Sequence, residues 1–221
     1  MHFKLVSLDI CPFVQRSVIT LRHKGLGFEL EYIDLESPPD WFKAISPLGK
    51  VPVLVVDRER VLFESAVINE FIDDVTPPLI KPSDPFQLAL NRSWIEYGSN
   101  CLSQQYQWMM AADRETFDRL GLEIKASLER IESVLDVGPW FNGPDFSLVD
   151  TAYAPLLMRY LLLGAYPMLD AAWFPKTAAW ADALLALPEV QQSVPVDFAD
   201  RFFRNFGRHS GFGPRLFAKS F

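Results

Sequence analysis

The chain has 221 residues, of which 49% are hydrophobic, with a formal net charge of −7, two cysteines and three histidines. Such a composition buries a substantial core and fits a globular protein of one large domain or two small ones. The negative balance excludes a broad electrostatic footprint for nucleic acid or an anionic membrane, while leaving local capture of a small anion open.

The apolar opening, Phe3 to Ile10, is short and carries Lys4 and Asp9, so it reads as a strand rather than a targeting leader, and a cytoplasmic setting is expected. The stretch Leu156 to Leu169 is interrupted by Arg159 and Pro167 and is too short to span a bilayer, so no membrane contact is expected. Cys11 and Cys101 lie far apart, which suits a reducing compartment. His2, His23 and His209 are scattered without ligand spacing, and no metal is expected.

In chain order, the strand Phe3 to Leu8 leads into Val14, Val18 and Leu21 at helical spacing up to Gly25, and Phe28, Leu30 and Tyr32 then alternate as a strand does. A loop with Pro38 and Pro39 precedes a short helix around Trp41 to Ile45. The run Val51 to Val56 reads as a buried strand, a polar turn at Asp57 to Arg60 leads into Val61 to Phe63 as a second hairpin arm, and Ala66 to Val75 is helical. Four prolines in the ten residues from Thr76 to Pro85 resist regular structure.

Division into residues 1–75, a linker at 76–86 and a second unit at 87–221 follows. The second unit is helical throughout. Leu120, Ile124, Leu128, Ile131 and Leu135 share one face, and Ser147 to Asp150 has the form of a capping box with Asp in place of Glu. The tail from Asp197 is rich in Phe, Arg and Gly. It either packs over the helices, closes part of a cleft or is partly disordered.

Cys11 stands at the junction of the first strand and helix, followed by Pro12 at the position where a missing N–H is no loss. Backbone N–H groups at that helix start favour a thiolate. The alternative is a small packed hydrophobe. Val14 occupies the place of a second cysteine, so no local thiol resolves a mixed disulfide. Pro52 cannot donate to a ladder, which leaves the Val51 backbone to pair with a peptide-like ligand as an added strand. Glu64 and Ser65 at a helix start offer a carboxylate, a hydroxyl and backbone N–H groups to a ligand bearing amine and carboxylate, or else form a cap and a surface acid.

Cys11-Pro12-Phe13-Val14, Pro39-Asp40-Trp41-Phe42, Ser46 through Leu54, and Phe63 through Ile68, in that order and spacing, resemble the glutathione transferase family, specifically its cysteine-bearing, omega-like members and bacterial relatives. Gly143 to Asp150 resembles the family's folding motif before a core helix. The resemblance implies an α/β plus all-α architecture: a thioredoxin-like N-terminal domain followed by an all-helical domain, as a homodimer, with glutathione as co-substrate.

It makes Cys11 the nucleophile, Val51 the backbone partner of the tripeptide and Pro52 the cis-proline, with Glu64 and Ser65 at the γ-glutamyl end. Phe13 lies beside glutathione and on the floor of the second-substrate pocket, whose walls include Tyr97, Tyr106 and Trp108. Pro38 stands where omega-like enzymes can carry a lysine for the glycine carboxylate, leaving Lys50 as the nearest cation.

The activity so implied is thiol transfer or dehydroascorbate reduction through a mixed disulfide, on a small electrophilic or disulfide substrate. The alternatives are conjugation of glutathione to electrophiles, and a non-catalytic binding protein of the stringent starvation type.

Overall fold

The computed structural model describes residues 1–164 and 169–218; Pro167 and the last three residues of the tail lie outside the described residues. Strand β1 (Phe3–Ser7) runs into helix α1 (Pro12–His23), which returns to β2 (Glu29–Tyr32) parallel to β1, from Lys4 opposite Glu29 to Ser7 opposite Tyr32. Helix α1 starts where the sequence places it because Pro12 is at its first turn and Cys11 caps it with extended backbone (φ −75°, ψ 120°). Gly25 (φ +66°) turns the chain away at its other end.

After the short helix α2 (Asp40–Ile45), β3 (Val53–Val56) and β4 (Arg60–Phe63) form an antiparallel hairpin, and α3 (Ser65–Val75) closes the unit. The sheet order is β2-β1-β3-β4, with β3 antiparallel to β1. Leu5 and Val6 point to opposite faces of β1 and both are fully buried, so the sheet is covered on both sides. That is why β3 reads as an unbroken Val-Leu-Val-Val run rather than an alternation.

The segment leading out of α3 is tied down by one carboxylate. Asp73, fully buried, pairs with Lys24 Nζ at 2.7 Å and accepts the backbone N–H groups of Ile80 and Lys81 at 3.0 and 3.2 Å. The end of α1, the end of α3 and the proline-rich connection therefore meet at one charge.

Beyond it come α4 (Pro85–Met109), α5 (Arg114–Val134), α6 (Leu148–Leu162), α7 (Pro175–Ala186), α8 (Pro188–Gln191), α9 (Phe198–Phe206) and α10 (Phe212–Ala218). Asp84 and Asp113 cap α4 and α5 by accepting N–H groups two or three residues into the helix. The expected stripe Leu120, Ile124, Leu128, Ile131 and Leu135 lies in the helical core. Helix α6 is buried along most of its length, and α4 crosses it at Gly98, where a β-carbon would sit 2.8 Å from the Tyr153 ring.

The capping box at Ser147 is formed, and its Asp150 also accepts from the Trp180 indole at 2.8 Å and the Phe141 N–H at 2.9 Å. The described part of the Phe-rich tail forms α9 and α10. Phe198, Phe202, Phe203 and Phe206 pack inward from α9, and Phe217 of α10 meets Trp108 edge-on and Phe206 at a tilt.

Helix α1 belongs to both cores. Val14, Val18 and Leu21 face the sheet, whereas Ile19 joins the helical core. Between them Arg16 Nε donates to the Ala152 carbonyl at 2.9 Å and Gln15 donates to Ser193 at 3.0 Å. The β-α-β opening, the antiparallel hairpin and the following helices make the expected α/β plus all-α architecture.

Candidate active site

Two depressions flank the start of α1. The first is a cleft lined by Phe13, Ser46, Pro47, Leu48, Lys50, Val51, Pro52, Phe63, Glu64 and Ser65. Local chemistry explains how its edges are held. The Ser46 hydroxyl accepts the Lys50 N–H at 3.0 Å and donates to the Lys50 carbonyl at 2.9 Å, pinning the turn that delivers Val51. The Val51–Pro52 bond is cis.

Across the cleft, Glu64 caps α3 in the left-handed region (φ 67°, ψ 115°), a conformation costing a non-glycine residue about 1–3 kcal/mol. Its side chain makes no cap hydrogen bond and is exposed, and the first turn of α3 carries no acid. The Ser65 hydroxyl has no protein partner among the described residues. The cleft thus offers a peptide edge, a hydroxyl, helix N–H groups and, among the described residues, one cation, Lys50, and one carboxylate, Glu64. Those groups match a ligand that is peptide-like and carries both amine and carboxylate.

The second depression is a cavity of about 260 Å³ between the start of α1, α4, α6 and α9. Cys11 lies on it, with Leu8, Ile10, Leu102, Gln105, Tyr106, Met109, Met110, Arg159, Phe202, Asn205, Phe206 and His209. The lining is mostly apolar, and no carboxylate takes part in it among the described residues. Cys11 and Phe13, two residues apart, therefore divide an amphoteric cleft from an apolar cavity.

The thiol itself is a compromise. Burial pushes it above the ordinary cysteine value, against the pull of the Val14 and Phe13 backbone N–H groups and of Arg159 and Arg16. The helix start pulls the thiol down as expected, and desolvation, the larger effect, pushes it up. Cys101, buried in the helical unit, is raised to about 11 and is inert as a nucleophile. Both cysteines are free.

The family model for the glutathione S-transferase N-terminal domain matches residues 10–75. A probable cytosolic glutathione S-transferase DHAR1 of Oryza sativa subsp. japonica is 32% identical over 155 residues, covering 68% of this chain and 67% of the relative. The chain belongs to the glutathione transferase family. The glutathione S-transferase omega-1 of Sus scrofa is 27% identical over 190 residues, 85% of this chain and 78% of that one. A rice glutathione transferase solved in complex with glutathione superposes with a TM-score of 0.80 at 25% identity, covering 94% of this chain and 97% of the other.

Within this transferase the six residues expected around glutathione, Phe13, Lys50, Val51, Pro52, Glu64 and Ser65, come together in the first cleft. The three residues expected to wall a second-substrate pocket do not come together in one depression. Tyr106 lines the cavity beside Cys11. Trp108 does not: it points into the helical core, fully buried against Phe117 and Phe217. Tyr97 is turned to Trp94 and lies 5.8 Å beneath the Arg130 guanidinium, outside the cavity lining. Phe13 faces the cleft, with the Arg16 guanidinium 5.1 Å from its ring, and not the cavity floor.

The cavity beside Cys11 is also lined by residues outside the sequence expectation: Gln105, Met109 and Met110 of α4, Arg159 of α6, and Phe202, Asn205 and Phe206 of α9. On α9 a signal existed, since Phe198, Phe202 and Phe206 recur every four residues. For Arg159 there was none, because a single arginine within an apolar run gives no hint of its partners. No described helix is long and apolar enough to cross a membrane.

Proposed function

We propose that the protein is a glutathione-dependent thiol transferase, with activity of the dehydroascorbate reductase type, acting through Cys11. The observation that supports this reading is that Cys11 lines the apolar cavity while Phe13, two residues on, lines the cleft with Val51, Pro52, Glu64 and Ser65. In the cleft, Val51 pairs with the tripeptide backbone beside Pro52, Glu64 and Ser65 hold the γ-glutamyl end with the N-terminus of α3, Lys50 meets the glycine carboxylate and Phe13 flanks the sulfur. Residues 1–75 are the glutathione-binding unit, 76–86 the linker, and 87–221 the unit that walls the second substrate, with Tyr106 at its mouth.

The Cys11 thiolate attacks the glutathionyl sulfur of a mixed disulfide. A Cys11–glutathione disulfide forms and the substrate leaves as a thiolate that takes a proton. A second glutathione thiolate then attacks that disulfide, giving oxidised glutathione and freeing Cys11. With Val14 in place of a resolving thiol, the monothiol route follows.

The protein acts as a homodimer, a reading supported by exposed apolar side chains on β4 and α3 (Phe63, Val67) and at the start of α4 (Phe86, Leu90). A cytoplasmic setting is supported by its two free cysteines.

The deciding experiment is intact mass after incubation with oxidised glutathione, for the wild type and Cys11→Ala, with turnover of a small glutathionyl mixed disulfide. One adduct, lost in the variant together with turnover, is the expected result. Absence of both in the wild type would overturn thiol transfer and leave conjugation or non-catalytic binding.

A further inference from the structure

Arg159 is 2% exposed, yet it has no carboxylate partner among the described residues. Its guanidinium donates only to neutral acceptors: Gln15 Oε1 at 2.7 Å, the Pro155 carbonyl at 2.8 Å and the Ile10 carbonyl at 2.9 Å. Phe198 and Phe202 lie against it, with ring centroids 5.2 and 5.9 Å from its central carbon. A buried charge of this kind is costly unless an opposite charge compensates it.

No carboxylate lines the cavity it faces among the described residues, and the more acidic group there is the thiol of Cys11, which becomes an anion when it reacts. The Ile10 carbonyl it grips is adjacent to Cys11 in the chain. We propose that Arg159 is the positioning residue of Cys11: it fixes the turn that carries the thiol and supplies the buried positive charge that balances the thiolate when the proton leaves to solvent.

Other charged and titratable groups face Cys11 from every packed element. Arg16 on α1 is engaged with Ser99 at 2.7 Å and the Ala152 carbonyl, and lies in the field of Glu96. Tyr106 on α4 is exposed. His209 beyond α9 is exposed. Asp9 in the preceding loop is held by Arg201 of α9 at 2.7 Å. Arg16 shares burial and neutral hydrogen-bond partners with Arg159, but the hydrogen bond to the backbone ahead of Cys11, at the Ile10 carbonyl, comes from Arg159. Both arginines are drawn down to about 10 by burial, and the Cys11 charge opposes that fall in each.

The inference rests on Cys11 being the nucleophile but is tested without glutathione, so its failure is distinguishable from failure of the transferase reading. The rate of Cys11 alkylation by iodoacetamide is followed against pH, with site assignment by mass, in wild type, Arg159→Met and Arg159→Lys. Circular dichroism establishes that each variant is folded. In Arg159→Met the midpoint is expected to rise by about one unit, a roughly tenfold loss of rate at any pH well below it. Arg159→Lys is expected to recover most of that loss. A folded Met variant with the wild-type profile, or a Lys variant no better than Met, overturns the proposal.

Should Arg159→Met fail to fold, the wild type still decides alongside Arg159→Lys. A buried cation is barely screened, so the wild-type midpoint should hold steady as salt rises. An upward drift with salt would assign the effect to exposed cations such as Arg204 and Arg208, and overturns it.

Discussion

Asp150 is the most heavily engaged carboxylate of the helical unit, and its removal has a calculable cost. One oxygen accepts the Phe141 N–H at 2.9 Å and the Trp180 indole N–H at 2.8 Å; the other accepts the Ser147 N–H and hydroxyl at 2.8 and 2.9 Å. Asp150→Ala strands three N–H donors in a site without solvent access, while the hydroxyl can turn elsewhere. At about 1–3 kcal/mol for each orphaned donor, reduced because neighbouring losses relax together, the cost is about 4 kcal/mol.

That is a large part of the roughly 5–15 kcal/mol that stabilises a domain of this kind. Asp150→Asn keeps an acceptor for one pair and presents N–H to the other, for a loss of about 2 kcal/mol. Urea unfolding monitored by tryptophan fluorescence, where Trp180 reports from the site itself, and in parallel by circular dichroism, gives both numbers. A folded Asp150→Ala whose stability falls by less than about 1 kcal/mol would show that the donors find other partners and would refute the reasoning.

Asp73→Ala leaves Lys24 buried without its counter-charge and frees the Ile80 and Lys81 N–H groups; a loss of about 3–5 kcal/mol is expected by urea unfolding. Ser65→Ala should weaken glutathione binding about tenfold by calorimetry, the worth of a hydrogen bond to a charged group, with an unchanged melting temperature. The raised Cys11 value gives a pH signature: the fold favours the protonated thiol, so this contribution to stability is whole below the ordinary value of 9.0 and is lost as pH rises through the folded value. The stability of wild type relative to Cys11→Ser should therefore fall above pH 9.0, and a constant difference from pH 7 to 10 by thermal melts would contradict it.

What the sequence made legible was whatever repeats or punctuates. Pro12, Gly25, the Val51–Pro52 pair and Ser147–Asp150 mark boundaries by chemistry local to a few residues, and the stripe from Leu120 to Leu135 marks a face by period. The peptide cleft was legible for the same reason, since its residues sit at element ends. The cavity was not. Its wall comes from side chains on α4, α6 and α9 whose orientation is set by helix crossings, and Trp108 and Tyr97 were expected there when one fills the core and the other meets Trp94 edge-on. Arg16 and Gln15 were invisible because α1 has two buried faces, and its polar residues look like a solvated side until a second core is laid against them.

That doubly buried α1 limits how this protein can be rearranged. One helix begins with the candidate nucleophile, gives Val18 to the sheet and Ile19 to the helices, and is gripped by an arginine from α6 at the carbonyl just ahead of the thiol. The two parts are therefore not interchangeable cassettes. A graft of foreign helices after α3 inherits the cleft already built but must also supply a partner for the outer face of α1. Without one, the same sulfur would stand in a different electrostatic field, so a chimera could retain its ligand and still react at another rate.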